Sequence, residues 1–496
     1  MKGRINNLGR LIAVAMLISL TPAAVFGGQK SDQAQALDVA DVREQALVDL
    51  ALGADGELAA DLVLRLLENG HVRSAKRRRQ ICDLVLTRLR TAPEPYPLDF
   101  VPGYGFGNRE GDRYSGITIY PVDALSLRCR VVQQMLAADP EAARFALLDL
   151  DPDLALPRVE CSQIVLPKVD VFYKTLGDVV ARCYTADERK EGVHWEAVSR
   201  YLAGIASPVQ VGPACELILA VGAPPVVRDR FVLDLAGAIG KLEPSPRALF
   251  MLAMWSGKRI AAMPEVLEAV KQSEETHRAL RDAFRSFVIT SLGMPRCRDL
   301  ATEAVPELVA ELNGNVFAGR PILADELIAP PRIKGAAAHV FWVSAESKRM
   351  LLAFQNLNTA RREMEPGTDM TGWKAEYLRV LGQFRDWTAV SERNDYDYVS
   401  QKGQLMAGMV ENAYDDATRT EAIRDFVAMM RHANAAQIPG HVLLLNTVIM
   451  FERSTPATRT AMLEGLRSSG TRSLSVYAAL QLEGVDALRI EAPKAP

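Results

Sequence analysis

Three aspartates at alternate positions, Asp149, Asp151 and Asp153, with Glu160 further on, match positions 1, 3, 5 and 12 of a calcium loop. A hard cation needs such a set of oxygen ligands, and helical sequence precedes it. Leu154, however, stands where a glycine makes the sharp turn, and Pro152 and Pro157 restrict the backbone. The competing reading is a helix end followed by an acidic turn. The expectation is a chain without a resident metal or cofactor.

Other chemistry is sparse. Gly103-Tyr-Gly105-Phe-Gly107 lacks the Gly-x-Gly-x-x-Gly spacing, follows no convincing strand and opens no helix. It is therefore not expected to aim backbone amides at a pyrophosphate. Walker A, Gly-x-Ser-x-Gly, Ser-x-x-Lys and His-Glu-x-x-His sequences do not occur. The six histidines (His71, His194, His277, His339, His432, His441) are scattered, with no pair four residues apart.

Six cysteines, Cys82, Cys129, Cys161, Cys183, Cys215 and Cys297, allow up to three bridges in an oxidising compartment. Cys129 to Cys161 and Cys183 to Cys215 are each 32 residues apart, about one helical hairpin. That spacing suits clamped neighbouring helices, while buried thiols are the alternative. No Cys-x-x-Cys is present.

Aromatic residues concentrate from Phe341 to Tyr398, with Trp342, Trp373, Tyr377, Phe384, Trp387 and Tyr396, beside Asp395 and Asp397. They suggest either a sugar cleft or a helix-helix core, and the helical spacing of Trp373, Tyr377, Phe384 and Trp387 favours the core. A second aromatic set lies in a loop over Thr91 to Asp123 rich in Pro, Gly and Tyr. Its Tyr104, Phe106, Arg109 and Tyr114 are the candidate binding residues, because rings on an adaptable backbone can recognise a partner.

The elements that must position these residues read as helices almost throughout. Leu58, Leu62, Val63, Leu66 and Leu67 follow the 3.6-residue period, as do Leu280, Phe284, Phe287, Val288 and Leu292, and Ile423, Phe426, Val427 and Met430. Thr185 with Glu188 and Thr418 with Glu421 have capping-box spacing. Asp139-Pro140, Ser207-Pro208 and Ser245-Pro246 read as a stop followed by a fresh start. In the C-terminal third the pattern predicts helices near 371–388, 397–414, 418–434, 440–451, 456–467 and 473–482. The best strand signal, Gly116 to Val122, is short and closed by Pro121.

The expected fold is all-α: stacked antiparallel helix pairs in a helical-repeat-like superhelix of HEAT or TPR-like architecture, in one or two units. The expected divisions are a signal peptide over 1–27, a helical domain over 28–327 interrupted by the 91–123 loop, a linker over 328–335 and a second helical domain over 336–496. Lys2, Arg4 and Arg10 precede the apolar run Leu11 to Leu20, and Val25 and Gly27 suit a peptidase. No later apolar run approaches the length of a membrane span. The chain is expected to be exported and soluble, in the periplasm or the medium.

Apolar residues make up 49% and charged residues 24%, as in folded soluble chains. Without the leader's three cations, 55 basic residues face 61 acidic ones. A mildly acidic chain has no general attraction for phosphate backbones, so nucleic acid is not an expected partner. The basic run Lys76 to Arg79, near Arg73, reads as a solvated helix face. The leading functional expectation is a non-enzymatic interaction protein with a protein or peptide partner. Its rival is a secreted glycan-active enzyme on a closed α/α toroid, working through paired carboxylates.

Overall fold

Among the described residues, the segments with a strong apolar period are helical. The computed structural model describes residues 42–54, 56–90, 123–156, 167–244, 262–294, 304–327, 345–365, 367–388, 395–432, 447, 450–451 and 454–485. The chain divides into a short unit, residues 1–46, and a main unit, residues 47–496. Of the first, only 42–46 are described, and they are helical. The leader, the 91–122 loop with its strand signal, the 328–335 linker, Ser245-Pro246 and most of 440–451 lie outside the described residues.

The main unit begins with α1 (Gly56–Glu68), α2 (Ala75–Arg90), α3 (Ala124–Met135) and α4 (Pro140–Leu148). It continues through α5 (Val169–Arg182), α6 (Ala186–Glu191), α7 (Val193–Ala203), α8 (Val211–Ala220) and α9 (Pro225–Ile239). Next come α10 (Ala262–Ala269), α11 (Glu274–Gly293) and α12 (Ala304–Asn315). The last six are α13 (Ala345–Glu363), α14 (Thr371–Asp386), α15 (Asp395–Glu411), α16 (Asp416–His432), α17 (Pro456–Arg467) and α18 (Arg472–Leu482). No strand occurs among the described residues.

Local chemistry sets many of the boundaries. Asp139 accepts from the Ala142 amide at 3.0 Å, with Pro140 in the first turn of α4. Thr185 and Glu188 form a reciprocal capping box at the start of α6, with bonds of 3.2 and 2.8 Å. The Gln210 side chain accepts from the Ser207 amide at 2.9 Å across a 3-10 turn, Pro208–Gln210, that leads into α8. The Thr418 cap is a correction. Helix α16 already begins at Asp416, and the Asp415 carboxylate accepts from the Thr418 amide at 2.8 Å. An aspartate three residues upstream therefore supplies the acceptor.

Helices pack mainly on neighbours one, two or three places along the chain. Cys129 on α3 meets Thr175 on α5, and Gln133, one turn on, donates to Asp178, one turn on, at 2.8 Å. The contacts step forward on both helices, so α3 and α5 run in the same direction. The same holds for α5 and α8. Gln210 donates to the Tyr173 hydroxyl at 3.3 Å, and a Cβ on Gly177 would meet Leu217 at 3.4 Å. Helix α8 then packs on α10, which extends the row. Beside it, Tyr201 on α7 donates to the carbonyls of Leu147 and Leu150 at the end of α4, while α7 packs on α9 and α9 on α11. Apolar side chains from these helices form one continuous buried core.

At the other end of the unit, Gly53 lies against α18, where a Cβ would approach Val476 at 3.5 Å.

Candidate functional site

A cleft of about 600 Å³ on the row of parallel helices joins apolar and charged groups. Helix α5 supplies Asp170, Tyr173, Lys174, Gly177, Asp178 and Ala181, spaced so that they share one face. Helix α8 faces it with Pro213, Glu216, Leu217 and Ala220, and Trp195 of α7 and Arg189 of α6 close the end. Gly177 lets Leu217 of α8 approach α5 closely, and the small, exposed Ala181 and Ala220 leave the rim open. Leu217 and Tyr173 are buried and form its floor, while Lys174, Glu216, Ala181 and Ala220 are exposed.

The charged groups are held differently. Asp178 accepts from Gln133 of α3, so the preceding helix in the row fixes its position. Arg189 turns back onto the end of α5, donating to the carbonyls of Val180 at 2.9 Å, Ala181 at 2.6 Å and Tyr184 at 3.3 Å. Its charge there neutralises the negative end of the helix dipole. Tyr173 is fully buried, and burial pushes its phenol well above the ordinary range despite the bond from Gln210. It is a neutral floor for the cleft.

Behind Trp195 lies His194, whose ring stacks on the indole with centroids 4.0 Å apart. Burial, aided by the positive charge of Arg189, pulls its pKa down, so the imidazole is neutral at pH 7. A second polar group lies between α1 and α3, where burial raises the Glu57 carboxyl and the charge of Asp123 adds to the effect. Asp123 is engaged by the Ser126 amide at 2.8 Å and its hydroxyl at 2.6 Å, capping α3.

Tyr104, Phe106, Arg109 and Tyr114 lie outside the described residues. Asp149 caps the end of α4 and pairs with Arg90 at 2.6 Å, while Asp153 accepts from the Ala155 amide at 3.0 Å in a local turn. Leu154 and Ala155 take positive φ angles of 58° and 47°, so the turn is made without the glycine a calcium loop uses. Glu160 lies outside the described residues, and no metal-ligating group of three occurs among them.

Cys82, Cys129, Cys183 and Cys215 are buried free thiols, so the Cys183–Cys215 spacing does not correspond to a bridge. Cys161 and Cys297 lie outside the described residues. Trp373, Tyr377, Phe384 and Trp387 are core residues. The Trp373 indole donates to Leu357 at 3.1 Å and the Tyr377 hydroxyl to Met409 at 2.6 Å. The basic run is more than a solvated face. Arg78 donates to Leu67 at 2.9 Å and to Gln134 at 2.7 Å, and Arg79 pairs with Asp83 and Asp139, tying α2 to its neighbours.

Sequence reasoning missed the cleft itself. The i, i+4, i+8 spacing of Asp170, Lys174 and Asp178 was the available signal, but a charged stripe on a helix is ordinary without its facing wall. Compared with known proteins, the chain matches no family model, no curated protein and no solved structure. No helix among the described residues is long and apolar enough to cross a membrane.

Proposed function

We propose that this chain is an exported, non-enzymatic helical scaffold that holds a segment of a protein partner in the cleft between α5 and α8. The carrying observation is the cleft itself, with a floor of Gly177, Leu217 and Tyr173 on parallel helices, an indole at one end and charges on the rim. A trough of this kind accepts the apolar side chains of an extended peptide and orients it through polar groups. In a HEAT or TPR-like superhelix, the row α3, α5, α8 and α10 would extend that trough. Export rests on the leader at 1–27. The 91–123 loop, through Tyr104, Phe106, Arg109 and Tyr114, is a second contact in this reading.

The test is selection of displayed random peptides on the mature protein, followed by binding to a variant with the trough filled by Ala181→Trp and Ala220→Trp. Both positions are exposed, so the variant is expected to fold. Selected peptides should lose binding on the filled variant. Peptides that bind both proteins equally would remove the cleft from the account.

The glycan-active reading has its own support. Asp178 and Glu216 line one cleft from facing helices. Release of reducing ends from a polysaccharide panel, abolished by Glu216→Gln, would establish that reading in place of the scaffold.

A further inference from the structure

We infer that His194 is an acid-sensitive latch: when its ring takes up a second proton, α6 and the Trp195 wall come away from the end of α5 and open that end of the cleft. The use of such a latch, release of a bound segment in acid, rests on the peptide-binding reading above; the latch itself does not.

The ring joins three helices. His194, in the first turn of α7, is 5% exposed and stacks on Trp195. It donates to the Glu188 carbonyl, which ties α7 back onto α6. Nδ1 is buried without a partner, so Nε2 carries the proton of that bond. Helix α6 is held on α5 by Arg189 and on α4 by the pair of Glu188 with Arg144 at 2.6 Å. Arg189 and Trp195 both line the cleft. Loosening the ring therefore loosens the cleft wall.

A proton on Nδ1 would create a buried N–H with no acceptor and a second positive charge beside Arg189. The surrounding groups are committed or neutral. The Glu188 carboxylate already accepts from the Thr185 amide at 2.8 Å and from Arg144. Cys183 and Tyr184, at the end of α5, are kept protonated by burial, and the Arg144 guanidinium lies over the Tyr184 ring. Asp178 of α5 is held by Gln133. Helix α9 meets Trp195 through Phe231, with Arg228 and Asp234, opposite in sign, three residues to either side. Glu196 of α7 is exposed. Water is the acceptor left, and the ring reaches it by leaving Trp195 and breaking the Glu188 bond. An open form takes the proton near the ordinary 6.5, whereas the closed form resists it. The open population thus rises as pH falls below that value, by up to about tenfold per pH unit.

Hydrogen exchange of the mature protein at about pH 7.5 and about pH 5, with rates divided by the intrinsic rate at each pH, reads the opening. Protection of α6 and α7 is expected to fall at least about fivefold in acid, while α14 keeps its protection. In His194→Gln, whose amide can donate to Glu188 without titrating, α6 and α7 should be equally protected at both pH values. Protection of α6–α7 that ignores pH in the wild type would overturn the inference, as would a loss spread evenly over all helices. The same acid loss in His194→Gln would also overturn it. Peptides selected on the cleft should bind more weakly in acid to the wild type alone, and equal binding at both pH values would remove the role in release. Failure of every displayed peptide to bind would remove the scaffold reading, while exchange still decides the latch.

Discussion

The ammonium of Lys402 donates to the carbonyl oxygen of Trp387 at 2.7 Å and to that of Arg385 at 3.2 Å, so a buried cation from α15 closes the end of α14. The same device recurs along the chain. Arg78 closes α1 at Leu67, Arg200 closes α4 at Leu148, and Arg189 closes α5. The last carbonyls of a helix have no partner within it and carry its negative pole. A cation from a neighbouring helix satisfies both needs and fixes the spacing of the two helices.

For Lys402, pH dependence follows. Burial pulls its ammonium from 10.5 down to about 8, with Asp425 and Asp386 opposing the fall. Between those values the unfolded chain keeps the proton that the folded chain has shed, so this group makes stability rise with pH across the window. From about pH 7 to about pH 9.5, wild type should gain roughly 2 kcal/mol relative to Lys402→Met. Urea unfolding at both pH values measures it, and parallel behaviour of the two proteins would refute the assignment.

A buried ion network joins α1 to α3. Asp61, with no exposed surface, accepts from Arg65 at 3.0 Å and from Arg130, which also forks onto Glu68 at 2.8 and 2.9 Å. Arg130→Met should cost about 3 kcal/mol by leaving a buried carboxylate under-compensated. Pairing it with Asp61→Leu should recover part of that loss in chemical denaturation. A double variant as unstable as the sum of its parts would show that the charges are uncoupled.

Two glycines should respond oppositely to alanine. At Gly204 a Cβ would overlap Pro152 and crowd its backbone carbonyl, so Gly204→Ala should cost about 1–3 kcal/mol. Gly237 lies in α9 with nothing within 4 Å of a Cβ, so Gly237→Ala should gain about 0.5–1 kcal/mol. Thermal melts of the two variants decide it.

Buried thiols should be inert. Burial raises all four described cysteines, Cys82 to about 11 and Cys215 to about 12, which leaves little thiolate at neutral pH. Iodoacetamide should leave Cys129 and Cys215 unmodified in the native protein and label them in urea, as read by peptide mass spectrometry. Rapid native labelling of either would contradict their burial.

The helices were legible because their signals are local. Apolar periodicity placed α14 at 371–388 against an observed Thr371–Asp386, and α17 at 456–467 against Pro456–Arg467. Helical spacing of Trp373, Tyr377 and Phe384 also pointed to the core, since one face of a helix buries together. Where two local signals competed, the reading slipped. Thr418 has the spacing of a cap, yet the carboxylate of Asp415 serves as the acceptor.

Sequence by itself determined the helical class, the ends of the described helices from 371 to 482 within a few residues, and the core faces of the strongly periodic helices, all of which depend on neighbours within a few turns. Only the tertiary structure decided that Asp178 and Glu216, 38 positions apart, line one trough, and that Lys76 to Arg79 includes ties between helices. A cleft is a property of two faces meeting. Ala181 and Ala220, on its rim, act by leaving space, which becomes visible only once the facing helix is in place.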